Sequence, residues 1–266
     1  MVCSSYSSVL PFPIMHLSIE NHIATITLSR PNAGNAIDEQ TAQQLRDLCE
    51  VVRQDDDVRV CVITGDGSAE GGVFCTGTEH SGGEPSAEEF ARLRVSEAIA
   101  AIEKPTIALI NGDAIDQGLE LALACDLRVV SETARLGLTH LASGIIPWDG
   151  GTQRLPRIVG QSQATDMILR SRLLDAQEAL EIGLVNHVGE HEEAAGYAHS
   201  LATTITSHAP IGARYLKETL MKGADMTLEQ GLGLEADLTV ILQSTADRAE
   251  GIASFLERRQ PEYRGE

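Results

Sequence analysis

Short apolar runs, each followed by a stretch of helical spacing, constrain this chain more than any other feature. Residues 60–64 (Val-Cys-Val-Ile-Thr) and 106–110 (Thr-Ile-Ala-Leu-Ile) are almost continuously apolar. A strand with no polar face has to be covered on both sides, which favours parallel sheets layered with helices. Residues 23–28 alternate like a strand and end at the turn-forming Arg30-Pro31-Asn32. Asp38 is placed to cap a helix running through Leu45 and Val52. A Gly-rich loop follows over 71–83, then a helix over 88–102 stopped by Pro105. Residues 118–124 read as a short buried helix and 127–130 as the next strand. Beyond residue 160 the texture changes. Helical periodicity covers 161–169, 175–182, 190–206, 210–221 and 227–243, with one late strand at 185–188. The pattern predicts an α/β core followed by a helical appendage from about residue 200.

A length of 266 residues suits one large domain or a domain with an appendage, and 42% apolar with 22% charged residues can build a packed core. No apolar run approaches the roughly 18 residues a membrane span needs. Residues 1–13 are Ser-rich and lack the basic n-region of a secretory signal. They read as a disordered leader ahead of a second potential start at Met15. The net charge of −19, with only three lysines, argues against nucleic acid and anionic membranes as partners. Five cysteines, an odd number with no CxxC, suggest neither a disulfide framework nor a zinc site, and a reducing cytoplasm is the expected location. His191-Glu192-Glu193 is not HExxH, and P-loop and GxSxG motifs are absent.

Four segments carry a resemblance. The first is Ile26-Thr27-Leu28-Ser29-Arg30-Pro31 with Asn35-Ala36-Ile37. The second is Val62-Ile63-Thr64-Gly65 with Phe74-Cys75-Thr76-Gly77-Thr78-Glu79. The third runs from Lys104-Pro105-Thr106 through Asn111-Gly112 and Gly118-Leu119-Glu120-Leu121-Ala122 to Cys125-Asp126. The fourth is Gly144-Ile145-Ile146-Pro147 with Gly150-Gly151-Thr152-Gln153-Arg154-Leu155. In this order they resemble the crotonase (enoyl-CoA hydratase/isomerase) superfamily, from about Ile19 to Arg259. The resemblance implies an α/β spiral of ββα units with two nearly perpendicular sheets over 15–199. It also implies a C-terminal helical oligomerisation region over 200–266, with 1–14 as the leader. It further implies a homo-trimer or hexamer (a dimer of trimers), an acyl-CoA substrate, no metal, and no cofactor apart from the coenzyme A carried by the substrate.

By position, the resemblance implies an oxyanion hole formed by the backbone N–H groups of Thr78 and Gln117. Such donors stabilise charge developing on a thioester oxygen, and losing one typically costs about 10²–10³ in rate. Gln117 follows Asp116 at a helix start, where amides lack intrahelical partners. Read without the resemblance, the same residues are a surface loop and an ordinary N-cap. Asp116-Gln117-Gly118 stands where the family often has three glycines, so two side chains join the pocket. Glu120 takes the slot of one catalytic glutamate, and its apolar neighbours should raise its pKa. The second glutamate slot holds His140, which either takes over proton transfer or packs structurally. Asp149 is either a third catalytic group or a turn residue before the following helix. Asp116, Trp148 and His80 are candidate pocket residues, with Trp148 offering a ring face. Cys75, Gly77, Arg30, Lys217 and Arg258 are the candidates for coenzyme A. The expected activity is that of an acyl-CoA lyase of hydratase type on a functionalised or cyclic enoyl thioester. An isomerase or a thioester or C–C bond hydrolase is the alternative on the same fold, and a non-catalytic acyl-CoA-binding relative the alternative of another class.

Overall fold

The apolar runs assemble side by side. Strands β3 (Ile23–Leu28), β4 (Val60–Gly65), β6 (Thr106–Ile110) and β8 (Leu127–Ser131) pair in parallel, and β11 (His187–Gly189) adds to β8. A computed structural model describes residues 10–12, 14–67, 72–79 and 86–266 of the chain. On the far side of β3, β2 (Met15–Glu20) and β1 (Leu10–Phe12) pair antiparallel, completing a seven-stranded sheet. The β2–β3 hairpin turns on Asn21 and His22, both at positive φ, which a tight two-residue turn requires. Residues 10–12 therefore belong to the sheet, not to a disordered leader. The rest of that reading, residues 1–9 and 13, lies outside the described residues.

Both faces of this sheet are covered, as its composition demands. Helix α1 (Glu39–Gln54) starts where Asp38 accepts a 2.7 Å hydrogen bond from Thr41 N, and it buries Leu45, Leu48, Cys49 and Val52. Its last carbonyls are capped by the buried ammonium of Lys104, which donates to Val52 O at 2.7 Å and to Asp55 O. On the opposite face, α8 (His191–Thr206) lays Ala194, Ala198 and Ala202 against Ile23, Val60, Val62, Ile107 and Val129. Small residues at every fourth position let the helix approach closely. Residue 200, where the helical appendage is expected to begin, falls inside this helix, which packs on the core. Helices α9 (Pro210–Gly223), α10 (Leu228–Leu242) and α11 (Ala246–Glu257) make up the helical region beyond it.

A second sheet, absent from the sequence patterning, contains β5 (Val73–Cys75), β7 (Asp113–Ile115), β9 (Arg135–Gly137) and β10 (Leu173–Asp175) in the order β10-β9-β7-β5. Its first strand occupies part of the stretch expected to be a Gly-rich loop. The helix expected over 88–102 is two helices, α2 (Ala87–Leu93) and α3 (Ser96–Ala100), broken at Arg94 and Val95. Helix α4 (Gln117–Ala124) follows β7 and is buried at every residue. It packs against β7, α3 and α5 (Gly151–Val159), and its N-terminal end meets β5.

Candidate active site

The site begins with a backbone approach that only glycine permits. A Cβ placed on Gly118 would lie 2.0 Å from the Cys75 carbonyl oxygen. Glycine at this position lets the first turn of α4 lie directly on the end of β5. Three residues past Cys75, Thr78 bridges in parallel to Ile37. Ile37 N donates to Gly77 O and Glu79 N to Ile37 O. That pattern turns the Thr78 N–H to the other side, where no protein acceptor meets it among the described residues. The Gln117 N–H, first in its helix, likewise has none. The two residues are tied together by their side chains, Thr78 Oγ1 donating to Gln117 Oε1 at 2.6 Å.

Asp116 sets the direction of the second amide. Its backbone is at φ 53°, ψ −120°, a region that favours glycine and costs a side-chain-bearing residue about 1–3 kcal/mol. The ψ of Asp116 fixes the orientation of the 116–117 peptide, so the cost attaches to where the Gln117 N–H points. The expectation of an ordinary N-cap does not hold, because the Asp116 carboxylate makes no cap bond. It accepts instead from Thr139 N at 2.5 Å and from Thr139 Oγ1 at 3.0 Å.

One turn into α4, Glu120 is fully buried. Its Oε1 accepts from Asp149 N (2.9 Å) and Gly151 N (2.7 Å), the latter at the start of α5 (Gly151–Val159). Its Oε2 has no hydrogen-bond partner among the described residues. Burial lifts its pKa to about 7, with Asp149 and Asp116 adding to the rise and the two backbone N–H groups opposing it. A carboxyl group at that pKa can hold or release a proton near neutrality. His140 opens a short 3-10 turn (His140–Ser143) and is also buried. Its Nε2 lies 3.6 Å from Glu120 Oε2 and its Nδ1 lies 3.2 Å from Asp116 Oδ1. Burial lowers the imidazole pKa, and the Asp116 carboxylate works against that.

Asp149, read from the sequence as either a catalytic group or a turn residue, lies in the bend before α5 and engages three donors. Its carboxylate accepts from Val95 N (2.9 Å), Ser96 N (3.2 Å) and Gln117 Nε2 (3.1 Å), while its own N–H holds Glu120. It ties the start of α3 and the Gln117 side chain to the turn that pins the glutamate. The Gln117 amide also donates to Leu93 O at 2.7 Å, so this side chain joins four segments. Nothing in the sequence around Gln117 marked that role, apart from its standing where small residues are usual. Trp148 is partly buried and packs edge-on against Phe90, ring centres 5.0 Å apart. His80 lies outside the described residues.

The candidate coenzyme A contacts divide. The Arg30 guanidinium pairs with Asp38 at 2.9 Å and Glu79 at 2.5 Å, and Lys217 pairs with Asp126 at 2.7 Å. Both are paired with carboxylates of their own chain. Cys75 is completely buried and Gly77 is buried beside it, so Cys75 presents no surface to an adenine ring. Arg258, at the C-terminal end of α11, is exposed.

Known proteins share this arrangement of sequence and fold. The family model for enoyl-CoA hydratase/isomerase matches residues 18–266. (E)-Benzylidenesuccinyl-CoA hydratase of Thauera aromatica is 41% identical over 94% of this chain and 98% of its own length. The 2,3-dehydroadipyl-CoA hydratase of Escherichia coli is 36% identical over 94% of this chain and 98% of its own. The crystal structure of an enoyl-CoA hydratase from Bacillus anthracis superposes with a TM-score of 0.91 at 34% identity, covering 95% of this chain and all of that one. A match of this extent in both sequence and backbone, on a chain that buries a glutamate one turn behind an unpartnered helix-start amide, shows that the protein belongs to the enoyl-CoA hydratase/isomerase family.

Proposed function

We propose that the protein is an enoyl-CoA hydratase, adding water across (or removing it from) a C=C bond conjugated to a coenzyme A thioester. One observation carries the reading: Glu120 has one oxygen fixed by two backbone N–H groups and the other buried without a hydrogen-bond partner among the described residues, three residues after the open amide of Gln117. A thioester oxygen placed on the Thr78 and Gln117 amides would gather charge as the β-carbon is attacked. Glu120 Oε2 and His140 Nε2, 3.6 Å apart, are spaced so that one water can meet both at ordinary hydrogen-bond distance. Asp149 is assigned a positioning role, since its oxygens are already engaged. Addition of water needs no redox or metal chemistry, so the proposed reaction uses no cofactor beyond the substrate's own coenzyme A. Incubation with an enoyl-CoA in H₂¹⁸O tests the proposal. Label should appear in a hydroxyl on the β-carbon. Label in a released carboxylate would instead identify a thioester hydrolase, and a shifted double bond without label an isomerase.

Trp148 against Phe90 favours an acyl group carrying a ring, and the relative at 41% identity has a name that includes a benzylidene group. A ring contact of this kind is worth about 0.5–1.5 kcal/mol. Trp148→Ala should therefore raise KM for a cinnamoyl-type thioester by roughly 3–10-fold and leave crotonyl-CoA nearly unchanged. Equal effects on both would remove the ring-binding assignment.

The helical region exposes Leu216, Leu220, Met221, Leu228, Leu232, Val240, Phe255 and Leu256, an apolar display of the sort that marks an interface between subunits. The proposed assembly is a homo-trimer or a hexamer, which light scattering would decide. No helix among the described residues is long and apolar enough to cross a membrane. Four buried free thiols, Cys49, Cys61, Cys75 and Cys125, fit the proposed cytoplasmic location.

A further inference from the structure

Among the described residues, Glu120 Oε2 and His140 Nδ1, on the two groups proposed to meet the water, are buried without hydrogen bonds. A buried group left in that state costs free energy unless something it is built to meet completes it. The two residues belong to a row of three. Asp116 Oδ1 lies 3.2 Å from His140 Nδ1, at pairing distance but short of hydrogen-bond alignment, and His140 Nε2 lies 3.6 Å from Glu120 Oε2. Every member is anchored from outside the row. Asp116 is held by the Thr139 N–H and hydroxyl, Glu120 by the N–H groups of Asp149 and Gly151, and His140 by the 3-10 turn that it opens. Catalytic contacts of this length commonly tighten when substrate is bound.

Resting on the hydratase reading, we infer that Asp116, His140 and Glu120 form a proton-carrying row in which the imidazole, oriented by Asp116, exchanges the proton at the substrate α-carbon. The balance is simple. The Glu120–His140 pair holds one proton; burial favours the form in which Glu120 carries it, and the pair reacts from the tautomer in which His140 does. Water attacks the β-carbon, and its proton passes to Glu120. The C=C electron pair moves toward the thioester oxygen held by the two amides, and His140 Nε2 gives its proton to the α-carbon. The pair still holds one proton, now as carboxylic acid and neutral imidazole. Transfer of that proton from Glu120 to His140 restores the reactive tautomer, with no outside acid or base. Asp116 touches no reacting atom. It is a positioning residue that keeps Nδ1–H facing it and Nε2 facing the substrate. The charged groups around the imidazole are Asp116 and Glu120, with Asp149 behind Glu120.

The test uses two reactions of the full-length protein: hydration of crotonyl-CoA, and exchange of the α-protons of butyryl-CoA with D₂O, followed by mass spectrometry. Exchange needs only enolate formation and a base at the α-carbon, so it reads the row independently of hydration. His140→Gln should lower exchange by about 10²-fold or more while butyryl-CoA binding is kept. Asp116→Asn should lower it by roughly 10-fold and move both limbs of its pH profile to lower pH, because a negative charge favouring protonation has gone. A merely structural Asp116 would leave the limbs where they are. Should His140→Gln not fold, Asp116→Asn decides alone through the pH shift. Wild-type exchange in His140→Gln, unmoved limbs in Asp116→Asn, or no exchange by the wild type would each overturn the row. Exchange that depends on His140, in an enzyme that hydrates no enoyl thioester, would uphold the row and remove the hydratase reading.

Discussion

Glu120→Gln is expected to be a catalytically dead protein that is more stable than the wild type above neutral pH. The activity loss follows from removing the group that accepts the proton of water, a contribution of about 10²–10⁴ in rate. The stability gain follows from linkage. Burial raises the Glu120 pKa to about 7 in the folded protein, well above the roughly 4.3 of an unfolded chain. The folded state therefore binds the proton more tightly. The stabilisation this gives is fully present below the unfolded pKa and is lost as pH rises through 7. At pH 8 the carboxylate is ionised in a site that solvates it poorly, a cost on the order of 3 kcal/mol relative to pH 4. Gln keeps the shape, its oxygen can accept from Asp149 N and Gly151 N, and its –NH₂ can donate toward His140 Nε2. The difference in unfolding free energy between Glu120→Gln and wild type should grow from near zero at pH 4 to roughly 3 kcal/mol at pH 8. Urea melts at several pH values measure it. A difference that stays flat with pH would mean that Glu120 titrates as a solvated carboxylate, and its role as the tuned acid–base group would fall.

The parts of the molecule legible in the sequence were those written in local periodicity. Strands β3, β4, β6 and β8 are long enough to show an apolar run, and Asp38 caps α1 as its position suggests. The second sheet was not legible in the patterning, because three-residue strands such as Val73–Cys75 and Asp113–Ile115 complete no period. The break between α2 and α3 was hidden for the opposite reason. Val95, Ile99 and Ile102 are all buried and apolar at the i, i+4, i+7 spacing of a helix, with nothing to mark that it starts afresh at Ser96. Glu120 could be found from its apolar neighbours. The task of Asp149 could not, since its partners Val95 and Ser96 are more than 50 positions away and an Asp-Gly pair reads as a turn. Arg30 and Lys217 look like free cations in sequence, and only the folded chain brings Glu79 and Asp126 to them. What local pattern cannot encode is which carboxylates meet across the fold, and that decides most of this site's electrostatics.

Gly118→Ala should cost about 10²–10³ in kcat through a single methyl group that touches no substrate. The added Cβ would lie 2.0 Å from the Cys75 oxygen and 2.7 Å from its carbonyl carbon. Both are backbone atoms, so no side-chain rotation can relieve the contact. Restoring an ordinary separation requires α4 and the end of β5 to part by about 1 Å or more. The amides proposed for the thioester oxygen stand on the two sides of that seam, Gln117 N–H one residue before the glycine and Thr78 N–H three residues after the cysteine. A displacement of that size at reacting groups can cost about 10²-fold, and one lost oxyanion donor costs about 10²–10³. Overpacking should also destabilise the fold by about 1–3 kcal/mol, so kcat is to be measured well below the melting transition. Gly196→Ala is the matched control. It lies within α8, nothing stands within 4 Å of its added Cβ, and it should keep wild-type kcat while gaining about 0.5–1 kcal/mol of stability. If Gly118→Ala folds and turns over like the wild type, the close seating of α4 on β5 does not set the spacing of the two amides, and the proposed oxyanion site loses its structural basis.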